Sequence, residues 1–254
     1  MQVHSINVSP SAYGYLLMCE ETQEAVAIDP GQAEPVLKKI NGLKAKLVGV
    51  WLTHHHWDHV GGVEELAAKV SGLKVYAHPK DKERIAGCNQ EIKDGDVLRF
   101  GKLEAKVIYT LGHTQGSVVY HLKEGAFTGD TLLGGGCNYP FEANIGELME
   151  TLNDKLVRSL PRNTPIYFGR EWTERNLTFT LKIDPNNQAL KDRLDRVKKL
   201  RADGKPSAPS TLEEELQTNP FLRCDNSELR VRLLGEYGST DPHYVFAKLL
   251  NMVM

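Results

Sequence analysis

The segment Thr53-His54-His55-His56-Trp57-Asp58-His59 constrains this chain more than any other feature. It follows the apolar run Leu47-Val-Gly-Val-Trp-Leu52, so the pattern predicts a loop leaving the C-terminal end of a buried strand, where sites are commonly built. Adjacent imidazoles and a carboxylate placed there suffer desolvation and, once protonated, mutual repulsion; a shared cation relieves both. Imidazole and carboxylate suit zinc, iron or manganese, so the segment is read as part of a catalytic metal site supporting metal-assisted hydrolysis. Two further ligand candidates stand downstream at expected strand ends. They are His113 in Thr110-Leu-Gly-His-Thr-Gln-Gly-Ser117 and Asp130 in Phe127-Thr-Gly-Asp-Thr131. His4, His78, His121 and His243 are isolated and read as surface or hydrogen-bonded core residues.

With 254 residues and 41% hydrophobic content, the chain can bury a full core without staples. Cys19, Cys88, Cys137 and Cys224 are scattered with no Cys-x-x-Cys pair, which argues against a disulfide framework or a thiolate zinc knuckle and fits a reducing compartment. A net charge of −2, with Lys and Arg spread along the chain, points to no nucleic-acid partner and no membrane surface. The N-terminus lacks the pattern of a signal peptide and no apolar run is long enough to span a bilayer, so a cytoplasmic protein is expected.

Up to residue 168, short apolar runs at Gln2–Val8, Tyr13–Cys19, Ala25–Asp29, Leu47–Thr53, Leu73–Tyr76, Leu103–Thr110, Val118–Leu122 and Ile166–Phe168 read as strands. Helical spacing appears at Ala33–Ile40, Val63–Val70 and Ile145–Leu156, which together predict sheets covered by helices. From Glu171 onward helix formers dominate, in Asn187–Ala202, Leu212–Leu216 and Val245–Val253. Asp203–Pro209 reads as a loop, and Ser210-Thr-Leu-Glu213 has the spacing of a capping box, so a helix is expected to start there.

Thr53–His59, Asp29 after a strand, Gly112-His113-Thr114 and Thr128-Gly-Asp130-Thr131 together resemble the metallo-β-lactamase superfamily. The C-terminal Pro209-Ser-Thr-Leu-Glu-Glu-Glu215 and Asn219-Pro-Phe-Leu-Arg223 are similar to the helical domain of glyoxalase II, the hydroxyacylglutathione hydrolases. The resemblance implies an α/β fold, an αββα sandwich over residues 1–170, with a helical substrate domain over residues 171–254. It implies that His54, His56 and His113 hold one metal, that Asp58 and His59 hold a second, and that Asp130 bridges them. Asp58 and Asp130 are thereby the candidate catalytic carboxylates, beside a metal-activated water that attacks a thioester carbonyl. Asp29 orients the histidine loop in such folds, although a strand-end aspartate before Pro30-Gly31 also suits a turn.

In glyoxalase II a Gly-His-Glu-Tyr-Thr block supplies the last ligand; here the block reads Gly169-Arg170-Glu171-Trp172-Thr173. A guanidinium offers no lone pair to a cation, so Arg170 cannot replace that histidine, and is expected to pair with Asp58 and Asp130 instead. One tightly held ion follows, zinc being the expected metal and iron or manganese also compatible, with the second site impaired. Glutathione-contacting cations of the family fall on Leu250 and Val253, leaving Tyr139, Phe141, Trp172 and Lys248 as candidate contacts for a small-molecule thioester or thiol conjugate. The leading expectation is a thioester hydrolase acting on S-lactoylglutathione or a related conjugate. Two alternatives are a catalytically silent single-metal binding protein and a mononuclear iron sulfur dioxygenase using His54, His113 and Asp130.

Overall fold

The computed structural model describes residues 1–9 and 11–253. Its first sheet has strands in the order β1 (Gln2–Ser9), β2 (Ala12–Met18), β3 (Glu24–Ile28), β4 (Lys46–Trp51), β5 (Lys74–Ala77) and β6 (Gln90–Glu91). β1, β2 and β3 pair antiparallel, whereas β3 through β6 pair parallel. Parallel neighbours need crossovers, and helices α1 (Ala33–Leu43), α2 (Trp57–Val60), α3 (Val63–Lys69) and α4 (Pro79–Lys82) lie in them. The second sheet takes β7 (Val97–Phe100), β8 (Leu103–Tyr109), β9 (Val118–Leu122), β10 (Gly125–Gly129), β11 (Pro165–Phe168) and β12 (Ser210–Thr211), all antiparallel except the pair β10 and β11.

Side-chain alternation divides β2 of the first sheet between two cores. On β2, Tyr15 and Leu17 enter the core shared with Tyr120 and Phe127 of the second sheet, while Leu16 and Met18 join Val36, Ile40 and Leu66 of the helices outside the first sheet. Across the sandwich Tyr15 meets Phe127 with ring centroids 5.3 Å apart, and Trp51 meets Tyr120 at 5.3 Å. Beyond the second sheet lies α5 (Ile145–Glu150), which continues through a π-helical turn over Thr151–Leu156 into α6 (Val157–Ser159). Leu148, Leu152 and Leu156 of this segment, with Leu212, Phe221 and Phe246 from further along, close that side. The architecture is the expected αββα sandwich with a C-terminal helical region: α7 (Thr173–Ile183), α8 (Gln188–Ala202), α9 (Leu212–Thr218), α10 (Ser227–Leu234) and α11 (Pro242–Val253). Among the described residues, no helix is long and apolar enough to cross a membrane.

The predicted strands and helices all appear, with ends moved by a few residues. β6, β7, α4, α6, α7 and α10 had no sequence expectation, of β10 only the end before Asp130 was expected, and Trp57–Val60, expected as loop, forms the short helix α2. One cap is corrected by a residue: Thr211, not Ser210, is the N-cap of α9, its Oγ1 accepting from Glu214 N at 3.1 Å. Ser210 instead donates its hydroxyl to Glu215 Oε1 at 2.6 Å, because β12 carries it into the sheet one position before the helix begins.

Candidate metal centre

The parallel pairs β3/β4 and β10/β11 send four loops out of their C-terminal ends, carrying Asp29, His54–His59, Asp130 and Arg170; the loop after β8 adds His113. Asp29 has φ of 49°, and its carboxylate accepts from Thr53 N at 2.8 Å and from Thr53 Oγ1 at 2.6 Å. Having given its only proton to Asp29, the Thr53 hydroxyl can only accept from His54 Nδ1, 2.9 Å away. His54 therefore presents Nε2 as a lone pair. His113 Nδ1 stands 2.8 Å from the Tyr139 carbonyl, which can only accept, so its Nε2 is likewise a lone pair, 2.9 Å from His56 Nδ1.

The ligand nitrogens of His54, His56 and His113 lie within 4.8 Å of one another. Buried Nε2 of His54 has no hydrogen-bond partner, and neither does Nε2 of His59. Burial and the neighbouring imidazoles push His54 well below its ordinary value and His56 down to about 4; burial also lowers His113. Neutral, convergent imidazoles, with the lone pair of His54 orphaned, fit a divalent cation, since ligating histidine must be deprotonated.

The other half is built differently. Arg170, only 9% exposed, donates Nε to both Asp130 oxygens (3.0 and 2.8 Å), Nη2 to Asp130 Oδ2 at 2.6 Å, and Nη1 to Asp58 Oδ2. Asn138 Nδ2 adds a further donor to Asp130 Oδ2 at 2.9 Å. Gly169 allows this approach: a Cβ there would stand 2.6 Å from Asp130 Oδ1. Asp130 Oδ2 remains 3.6 Å from His113 Nε2 and 4.0 Å from His54 Nε2. Burial opposes its charge, but His59, His54 and Arg170 hold Asp130 well below the usual carboxylate range. His59 sits with Nδ1 3.0 Å from Asp29 Oδ2 and Nε2 3.4 Å from Asp130 Oδ1; against the effect of burial, these two carboxylates raise it to about 10.

His55 turns out of this centre. Its Nε2 accepts from Arg84 Nη1 at 2.9 Å and its Nδ1 lies 3.2 Å from buried Asp81; Arg84 also pairs with Glu142. Phe141, 64% exposed, has its ring 5.5 Å from that of His113, and half-buried Tyr139 packs 5.4 Å from Phe141. Trp172 lies 5.4 Å from the Arg170 guanidinium. Lys248 is exposed on α11 and forms no ion pair among the described residues, while Leu250 is buried in the core. Of the isolated histidines, His78 caps α4 and stacks on Tyr109 at 4.6 Å. Asn138 had no sequence signal beyond its place after a run of three glycines, and its contact with Asp130 exists only in the folded loop.

The pattern of the metallo-beta-lactamase superfamily matches residues 15–156, and that of the hydroxyacylglutathione hydrolase C-terminus matches residues 171–252. The chain is 38% identical to a hydroxyacylglutathione hydrolase of Rippkaea orientalis, covering 99% of this chain and 98% of that protein. It is 42% identical to one from a Synechococcus species, with 94% of each covered. Among solved structures, ETHE1 from Myxococcus xanthus superimposes with a TM-score of 0.68 at 23% identity, covering 99% of this chain and 98% of that one. The BLEG-1 B3 metallo-beta-lactamase gives 0.66 at 21%, covering 87% and 99%. At these identities the two structures speak for the fold alone.

Proposed function

Because the chain belongs to the metallo-beta-lactamase superfamily, in its hydroxyacylglutathione hydrolase branch, we propose that it is a metal-dependent thioester hydrolase of glyoxalase II type. Its substrate is S-lactoylglutathione or a related thiol conjugate. Water adds its oxygen to the acyl carbon, the carbon–sulfur bond breaks, and the thiol leaves with a proton. The observation that carries this reading is the convergence of three neutral imidazoles, His54, His56 and His113, with no other use for the lone pair of His54. Near-full-length identity to hydroxyacylglutathione hydrolases favours it over a silent binding protein or an iron dioxygenase.

When bound, a divalent cation supplies a Lewis acid for the carbonyl and lowers the pKa of a coordinated water. The chain's own residues prepare that place. Asp29 through Thr53 fixes the tautomer of His54, and the Tyr139 carbonyl fixes that of His113. One ion, with zinc the metal that three imidazoles suit best, is held at the three histidines with Asp130 alongside. Arg170 takes up Asp58 and most of the acceptor capacity of Asp130, so a second ion finds neither a free carboxylate pair nor room for one. Residues 1–170 supply this centre and 171–254 the helical cover, with Tyr139, Phe141 and Trp172 as the aromatic surface offered to the acyl or thiol group.

Hydrolysis of S-lactoylglutathione, followed as loss of thioester absorbance, tests the activity. Turnover by the zinc-loaded protein and none by a chelator-stripped sample is expected. Equal rates in the two would reject the reading.

A further inference from the structure

The loop between Asp130 and Glu142 is gripped from behind by the helical region. Its residues Gly134-Gly135-Gly136 lie flush against α7: a Cβ on Gly134 would meet Thr173 Oγ1 at 2.3 Å, and one on Gly135, where φ is 67°, would meet Leu177 Cδ2 at 2.7 Å. Its backbone groups are taken up by helical side chains. Gly135 N donates to Glu215 Oε2 at 2.9 Å, Asn219 Nδ2 to Gly136 O at 2.9 Å, and Asn176 Nδ2 to Gly134 O at 3.0 Å.

Glu215 is fully buried, which is unfavourable for a carboxylate unless every lone pair is served. Its Oε1 takes Arg193 Nη2 and the Ser210 hydroxyl, which would already tie α8 to α9. Its Oε2 is directed at the loop. A few residues on, that loop delivers Asn138 Nδ2 to Asp130 and the Tyr139 carbonyl to His113 Nδ1.

We propose that Glu215 is a positioning residue for the metal centre: by fixing Gly135 it sets where Asn138 and the Tyr139 carbonyl stand, and so the tautomer of His113. The inference rests on the metal-centre reading above. Partners of metal ligands typically alter affinity about 10- to 100-fold when lost, and an effect relayed through the loop belongs at the lower end.

Glu215→Gln puts a donor where two acceptors are needed. Zinc affinity, read by competition with a chromophoric chelator, is expected to weaken about tenfold. In metal-free protein, proton–nitrogen correlation NMR is expected to show His113 passing from a single Nδ1–H form to a mixture. Asn226→Ala removes the N-cap of α10, whose side chain accepts from Leu229 N at 2.9 Å, and so loosens the helical region without touching the loop; it should change neither readout. Asn176→Ala removes only the bond to Gly134 O and should move both readouts the same way by less, which keeps the test open if Glu215→Gln does not fold. Unchanged readouts in the loop-anchor variants, or equal changes in Asn226→Ala, would overturn the positioning role. A wild-type chain that holds no zinc would overturn the metal-centre reading, while the His113 signal still decides the role of Glu215.

Discussion

A buried guanidinium at Arg170 pairs with two carboxylates, Asp58 and Asp130, inside the site. Removing one partner of a buried ion pair leaves the other charge uncompensated, so Arg170→Leu is expected to destabilise metal-free protein by about 3–5 kcal/mol in urea unfolding. A loss below about 1 kcal/mol, the range of exposed pairs, would show that the three residues do not act as a buried network. The histidines give a second expectation, also for metal-free protein. His59, raised to about 10, contributes stability that is complete below the ordinary imidazole value of 6.5 and lost as pH climbs through 10. His56, lowered to about 4, works oppositely: the unfolded chain binds its proton first, so stability falls as pH drops from 6.5 toward 4, and buried His54 and His113 act in the same direction. The urea midpoint should therefore peak near pH 6.5. A midpoint rising steadily toward pH 4 would contradict this.

At the scale of elements, the start of α9 separates two adjacent hydroxyls by function. Thr211→Ala removes an N-cap and should lower stability by about 1 kcal/mol. Ser210→Ala leaves the cap intact but deprives buried Glu215 of a donor, a loss of about 1–3 kcal/mol, so the two urea midpoints should rank in that order. The strands were legible where β-branched and apolar runs are long, as in Leu47–Leu52 and Val118–Leu122. β10, Gly-Ala-Phe-Thr-Gly, is legible only at its end before Asp130, because its buried residues other than Phe127 are small or polar and it is defined by its neighbours β9 and β11. α7 escapes for a related reason: Thr173, Thr178 and Thr180 are poor helix formers, and packing of Leu177 on α8 overrides that propensity. The ligand candidates were legible because histidines and aspartates stand together at strand ends. Asn138, Glu215 and Asn219 were not, since their roles arise from segments far apart in the chain meeting at one loop.

Across the whole molecule, two parallel strand pairs in facing sheets bring their C-terminal loops to one edge of the sandwich, and the helical region reaches back to the same edge through the loop after Asp130. Folding thus completes the site, and an ion bound only by the folded chain stabilises it in return. Zinc at a thousand times its dissociation constant should add about 4 kcal/mol to the metal-free protein, seen as a raised urea midpoint. On the function proposed above, the protein works with one ion because Arg170 pairs with Asp58 and Asp130, the carboxylates a second would need. Elemental analysis of the chain after zinc loading and gel filtration tests it most directly. One equivalent per chain is expected, and two equivalents retained by the unmodified protein would contradict it.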